Sequence, residues 1–240
     1  MALPFDDIER VLTITAHPDD VDFGAAGTAA VLSDAGKRVT YCIVTDGDAG
    51  GFDPTVQRDE IGGIRRREQT NAAHKVGVED LVFLGYPDGY LEATLALRKD
   101  LVRVIRRVRP QVIIVQSPTR NLDRIFASHP DHLAAGEASM CAVYPDAQNA
   151  HWYPDLVTDG YEPWTVREVW IMGLGAESNH TIDISAQVDR KINALMCHES
   201  QFTDPAGIDK MVRGWVAATA KTAGLPEGCS AEAFRTVTIS

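Results

Sequence analysis

Four short runs of β-branched and apolar residues, each followed by a helix-like stretch, constrain this chain more than any other feature. They are residues 11–16 (VLTITA), 39–45 (VTYCIVT), 81–84 (LVFL) and 112–115 (VIIV). Strands with apolar, β-branched cores such as these fit a sheet covered on both faces. The stretches between them fit helices. Residues 23–35 are alanine-rich and closed by Gly36, and 58–76 are charged and closed by Gly77. Residues 94–108 carry Leu95, Leu97, Leu101, Val102, Ile105 and Val108 near helical spacing before Arg109-Pro110 ends them. Repeated strand–helix units build a mostly parallel sheet. The expected class is therefore α/β: a three-layer, Rossmann-like sandwich with helices on both faces. Further strands are expected at 166–172, 181–184 and 234–239, and helices at 186–199 and 208–223. Residues 144–165, with Trp152, Tyr153 and Trp164, read as a long loop. No repeat or linker divides the sequence, and 1–240 is read as a single domain.

Charge and composition narrow the partners. The 23 Lys and Arg against 34 Asp and Glu leave a net charge of −11. That charge repels phosphate backbones and anionic lipid, so no nucleic acid and no membrane is expected as a partner. No apolar run approaches the roughly 20 residues a membrane helix needs. The start, MALPFDDIER, lacks the basic and apolar regions of a signal peptide. Cys42, Cys141, Cys197 and Cys229 form no CxxC pair, which argues against a disulfide framework or thiolate metal site and for a reducing cytoplasm.

The chemistry sits at two strand ends. In open parallel sheets, ligands bind beyond the carboxyl ends of the strands where the strand order reverses, and in the commonest order strands one and four flank that point. After strand one the chain reads Ala16-His17-Pro18-Asp19-Asp20, and beyond strand four Ser128-His129-Pro130-Asp131-His132. Neither is a glycine-rich phosphate loop; Gly24 and Gly27 do not rebuild one, so a nucleotide-binding module is disfavoured. Two imidazoles and a carboxylate with one position left for water make a catalytic zinc site. His17 and Asp20, at i and i+3, fit on one turn stiffened by Pro18, with His132 as third ligand. Asp19 and His129 then stand unligated beside the metal. A free carboxylate there suits a general base, and a free imidazole held by Asp131 suits carbonyl polarisation or protonation of the leaving group. Taken singly, each motif is also an ordinary turn with a helix cap.

These residues give the chain a resemblance to the zinc-dependent deacetylases that include the phosphatidylinositol-glycan GlcNAc deacetylases, the LmbE-like or PIG-L group. AHPDD at 16–20 and HPDH at 129–132 carry it. It is supported by TDGDAGG at 45–51, R-x-x-E at 65–68, LGYPDG at 84–89 and DRKINALMCHESQ at 189–201. The resemblance implies Zn2+ on His17, Asp20 and His132, Asp19 as general base, and His129 as oxyanion stabiliser or general acid oriented by Asp131. It implies hydrolysis of an N-acetyl group, commonly from an N-acetylglucosaminyl compound. It also implies a homo-oligomer, often a hexamer, in which a late residue such as His198 approaches a neighbour's site. Two departures stand out. The usual Glu after the double Asp is replaced by Val21 and then Asp22, and Ala127 stands where inositol-sugar enzymes have Tyr.

Other residues keep two readings. Arg65 matches a family residue that holds substrate hydroxyls, or is a solvated charge paired with Glu68. Asp88 accepts from sugar hydroxyls or merely suits its Pro-Asp-Gly turn, and Asp46 and Asp48 are equally divided. Trp152, Tyr153 and Trp164 form a sugar-stacking wall or, better, pack their loop onto the body. His74, His151 and His180 are structural or on the surface. Specificity is expected in 144–165 and 52–59. An amidase of a thiol conjugate, or a deacetylase or esterase acting on a secondary metabolite, would use the same groups.

Overall fold

The computed structural model describes residues 3–239, without the Arg124 side chain. Met1, Ala2 and Ser240, the ends of the expected 1–240 domain, lie outside the described residues. Strands β1 (Arg10–Thr15), β2 (Arg38–Thr45), β3 (Asp80–Tyr86), β4 (Val112–Val115), β5 (Glu168–Met172), β6 (His180–Asp183) and β7 (Ala231–Thr238) form one sheet ordered β3-β2-β1-β4-β5-β7-β6. β1 pairs in parallel with both β2 and β4, so the chain builds outward from β1 on one side and then on the other. β5 continues the parallel set, and β7 lies antiparallel between β5 and β6. This is the expected Rossmann-like α/β sandwich, with β1 and β4 adjacent at its centre.

The period-two alternation of the strands divides the core. Leu12, Ile14, Ile113 and Val115 face one way, and Val11, Val112 and Ile114 the other. On the first face lie α4 (Leu95–Val108) and α5 (Pro130–Cys141), through Leu97, Leu101, Val102, Ile105, Ala135 and Ala138. On the second lie α2 (Ala26–Asp34), α3 (Arg58–Lys75) and α7 (Val188–Leu195), through Ala29, Ala30, Leu32, Ala72, Ala73 and Ala194. Helix α8 (Pro205–Thr222) packs Val212 against Ile192 and Leu195 outside this layer.

Three local expectations change. The single helix at 23–35 is two, α1 (Asp20–Gly24) and α2, broken at Ala25, whose ψ of 6° and φ of −148° are not helical. The break lets α1 begin at the ligand motif while α2 follows the sheet. Helix α5 has no counterpart in the sequence reading, although Pro130 at its first turn and the Ala-rich run after it are helix signals. The 144–165 loop contains α6 (Pro154–Thr158). Among the described residues, no helix is long and apolar enough to cross a membrane, and all four cysteines are free.

α1 is anchored from below. The fully buried Lys191 ammonium donates to the Asp22 carbonyl at 2.7 Å, to the Phe23 carbonyl at 2.6 Å and to Glu232 Oε1 at 2.7 Å. Glu232 in turn accepts from the N–H groups of Gly27 and Thr28 at the start of α2. Lys191→Met removes one charge of a buried pair and strands the other, so a loss of about 3–5 kcal/mol in urea-unfolding stability is expected. A loss below about 1 kcal/mol would mean the pair does not hold this corner.

Candidate active site

The two motifs meet. The Ala16 N–H at the end of β1 donates to Gln116 Oε1, just past β4, at 2.8 Å, locking the two strand ends together. His17 Nδ1 and His132 Nε2 lie 3.2 Å apart although 115 residues separate them. Asp20 completes a triangle of residues through both of its oxygens, with Oδ1 3.0 Å from His132 Nε2 and Oδ2 3.3 Å from His17 Nδ1, and Oδ2 also accepts from the His17 N–H at 2.7 Å. Tetrahedral ligand atoms about 2.1 Å from zinc stand about 3.4 Å from one another, close to the His17–His132 and His132–Asp20 separations. The far nitrogens fit too: His17 Nε2 meets Asp88 Oδ1 at 3.0 Å and Asp131 Oδ2 at 3.2 Å, and His132 Nδ1 meets the Ala127 carbonyl at 3.4 Å. Metal-binding histidines characteristically give their second N–H to such acceptors. Two other donor groups are close enough to share an ion, His17 with His129 and His132, and His17 with Asp88 and Asp131. In the first, His129 Nδ1 already accepts from the Asp131 N–H at 3.2 Å. In the second, Asp131 already accepts from Gly89 and Leu91 N–H at 2.7 and 3.2 Å.

Electrostatically the site is short of positive charge. Burial works against charge on His17, but Asp131, Asp20 and Asp88 outweigh it and push its pKa up to about 12. Burial would raise Asp20, yet His132 and His17 hold it well below the usual carboxylate range. His132 is raised, Asp20 prevailing over burial. His129 goes the other way, lowered by burial and by its proximity to His17. With Nδ1 accepting from Asp131 N–H, neutral His129 carries its proton on Nε2, which makes that atom a hydrogen-bond donor.

Asp19, one residue before Asp20, has different partners. Its φ of 94° and ψ of −30° are unusual for a residue with a side chain, a strain of about 1–3 kcal/mol that its neighbours must sustain. Arg65 holds the carboxylate, Nη2 to Oδ2 at 2.9 Å, and Gln69 Oε1 holds the Asp19 N–H at 2.8 Å. Burial raises the Asp19 pKa to about 6, and the Arg65 guanidinium opposes it.

Several expectations are corrected here. The Asp131 carboxylate meets His17, and it is the Asp131 backbone that orients His129. Arg65 is neither a solvated charge nor paired with Glu68. It is buried, with contacts to Asp19 and to the Pro18 and Gly47 carbonyls. Glu68 accepts from Ser200. The TDGDAGG segment wraps this guanidinium: Gly47 has φ +62°, and any Cβ there would collide with Arg65. Asp88 is buried on His17 with its N–H on Asp48, so its carboxylate is occupied within the chain. Asp46 pairs with Arg66 and Asp48 with Arg58, beside a groove of about 300 Å³ that Pro87 also lines. His198 is fully buried, with Nε2 2.8 Å from Asp22 Oδ2 of its own chain, so it is not presented to a neighbouring subunit. Trp164 sits over Arg10 and Arg109 and donates to the Pro110 carbonyl, at the opposite end of β1 from His17, so it forms no wall of the site. Trp152 and Tyr153 pack toward α4 through Arg98 and the Leu95 carbonyl. His74 and His151 are exposed, and His180 stacks on Trp170.

The chain is similar to known proteins. The profile of the PIG-L family, GlcNAc-PI de-N-acetylase, matches residues 12–143. A diacetylchitobiose deacetylase of Thermococcus kodakarensis is 34% identical over 205 residues, covering 84% of this chain and 73% of its own. A 1D-myo-inositol 2-acetamido-2-deoxy-alpha-D-glucopyranoside deacetylase of Thermobispora bispora is 29% identical over 230 residues, covering 85% and 69%. Among solved structures, an N,N'-diacetylchitobiose deacetylase from Pyrococcus horikoshii in complex with an inhibitor superposes with a TM-score of 0.89 at 28% identity, over 98% of this chain and 86% of that one. With the two motifs joined at the centre of the sheet and the family profile spanning both, the chain belongs to the PIG-L family of GlcNAc-PI de-N-acetylases.

Proposed function

We propose that the chain, acting as one domain, is a zinc-dependent hydrolase that removes the N-acetyl group from a small GlcNAc-type compound. The observation that carries this reading is the different pairing of two adjacent carboxylates. Asp20 faces His17 and His132, whereas Asp19 faces the Arg65 guanidinium. His17, Asp20 and His132 would hold the ion. A bound zinc supplies Lewis acidity toward the substrate carbonyl and a water of pKa near 7.

The chain's own residues account for the remaining work. Asp19, poised near neutrality, accepts a proton from the attacking water as the water oxygen bonds to the acetyl carbon. His129 Nε2–H donates to the carbonyl oxygen as negative charge gathers there. When the C–N bond breaks, the proton taken up by Asp19 is available to the departing nitrogen, leaving acetate and a free amine. Asp131 and Asp88 keep the His17 ring in register, and the Asp131 backbone does the same for His129. Tyr90, next to Gly89, and Phe126, next to Ala127, are exposed at 72% and 65% and offer apolar surface near the site, suited to a pyranose face.

The reading is tested by acetate release from N,N'-diacetylchitobiose and from the acetamido-glucopyranosyl inositol of the relatives, beside thioether amides and acetyl esters. At least one N-acetylglucosaminide is expected to exceed the amide conjugates and esters by about ten-fold or more in kcat/KM. Preference for an ester or thiol conjugate would shift the assignment, and no acetate from any acetylated sugar would overturn it.

A further inference from the structure

The general-base reading gives Asp19 its role but leaves unexplained how its unfavourable backbone is held. Beside it lies a fully buried chain of polar groups that takes no part in the chemistry so far. Gln69 Oε1 accepts from the Asp19 N–H at 2.8 Å, and Gln69 Nε2 donates to Asp22 Oδ2, also at 2.8 Å. The same Asp22 oxygen faces His198 Nε2 at 2.8 Å. Gln69, Asp22 and His198 are all at 0% exposure. None of them reaches a position where substrate can touch it.

The logic of the chain is directional. A glutamine amide has one accepting and one donating end, and only the accepting end can satisfy the Asp19 N–H. Asp22 Oδ2 accepts from the Gln69 NH2, which leaves the Gln69 carbonyl turned toward Asp19. His198, donating from Nε2, keeps the Asp22 carboxylate turned to Gln69. The Lys191 ammonium fixes the Asp22 backbone from the other side. His198 is placed in turn by its backbone N–H on the Leu195 carbonyl, while Ser200, two residues on, is tied to Glu68 of α3. The departure noted in the sequence, Val21 then Asp22 after the double Asp, thus puts a carboxylate where this chain of bonds needs one.

We propose that Asp22, Gln69 and His198 are positioning residues that hold Asp19 in its left-handed backbone conformation, so that its carboxylate stands beside the ligand triangle instead of joining it. The inference rests on Asp19 being the base. It assigns His198 a task inside its own subunit.

The test compares His198→Leu, which removes the donor, with His198→Gln, which restores one at similar reach. In the zinc-loaded enzyme, His198→Leu is expected to lower kcat at least about ten-fold, with KM within about two-fold and one zinc per chain retained. His198→Gln is expected to recover kcat to within about three-fold of the parent. Independently of activity, a crystal structure of metal-free His198→Leu should show Asp19 leaving positive φ and losing its Arg65 contact. A kcat within two-fold of the parent, an unchanged Asp19 in that crystal structure, or a kcat loss that tracks zinc loss would each overturn the proposal. Should His198→Leu not fold, Gln69→Met removes the acceptor for Asp19 directly and carries the same expectations. If the parent releases no acetate from any substrate, the deacetylase reading fails, and the Asp19 conformation in the variant crystals still decides this inference.

Discussion

Asp19→Asn is expected to bind one zinc per chain and to lose about 10²- to 10⁴-fold in kcat, the span that a positioned general base contributes. The reasoning is local. The amide keeps an oxygen for Arg65 Nη2 and leaves the Gln69 bond to the backbone untouched, so the site's shape survives while its proton acceptor does not. The proposed ligands His17, Asp20 and His132 do not include Asp19. Metal content by elemental analysis and acetate release under substrate saturation separate the two effects. A variant with near-parental kcat would remove Asp19 from the base role, and one that loses its zinc would make Asp19 a ligand.

The second large effect is on the metal. His132→Ala is expected to weaken zinc binding by more than about 100-fold, because it removes one of three donors. Asp88→Ala, which deletes only an orienting partner of His17, is expected to weaken it by about 10- to 100-fold. Competition against a chromophoric chelator measures both, and stripping the parent with chelator should abolish acetate release until zinc is returned. The comparison separates the proposed set from the group of His17, Asp88 and Asp131. If the ion instead sat among His17, Asp88 and Asp131, Asp88→Ala would be the more damaging change and His132→Ala nearly silent.

The sequence was most readable where one local pattern decides the outcome. The β-branched and apolar runs at 11–16 and 112–115 fit a covered parallel sheet, and their adjacency carried the two His/Asp motifs together. What escaped depended on partners distant in sequence. Asp131 was paired with His129 by proximity, but residues two apart at a helix start point in different directions, and the carboxylate reaches Gly89, Leu91 and His17 instead. Arg65 and Glu68 looked like a helical i, i+3 pair, yet each turns to a loop folded against α3, Arg65 to 46–51 and Glu68 to Ser200. His198 read as reaching a neighbouring subunit's site because nothing near it in sequence hints at Asp22, 176 positions earlier. The insertion of β7 between β5 and β6 is likewise set by the closing of the sheet and not by any turn.

Because β1 is flanked by β2 on one side and by β4 on the other, the catalytic crevice is a seam between the two halves of the polypeptide and is owned by neither. A fragment ending after β3 would hold His17, Asp19 and Asp20 along a bare strand edge; one beginning at β4 would hold His129 and His132 with nothing to face. Such pieces acquire a working centre only by re-forming that parallel ladder together with the Lys191, Glu232 and His198 contacts that cross the same join, so complementation between them would report on the whole seam.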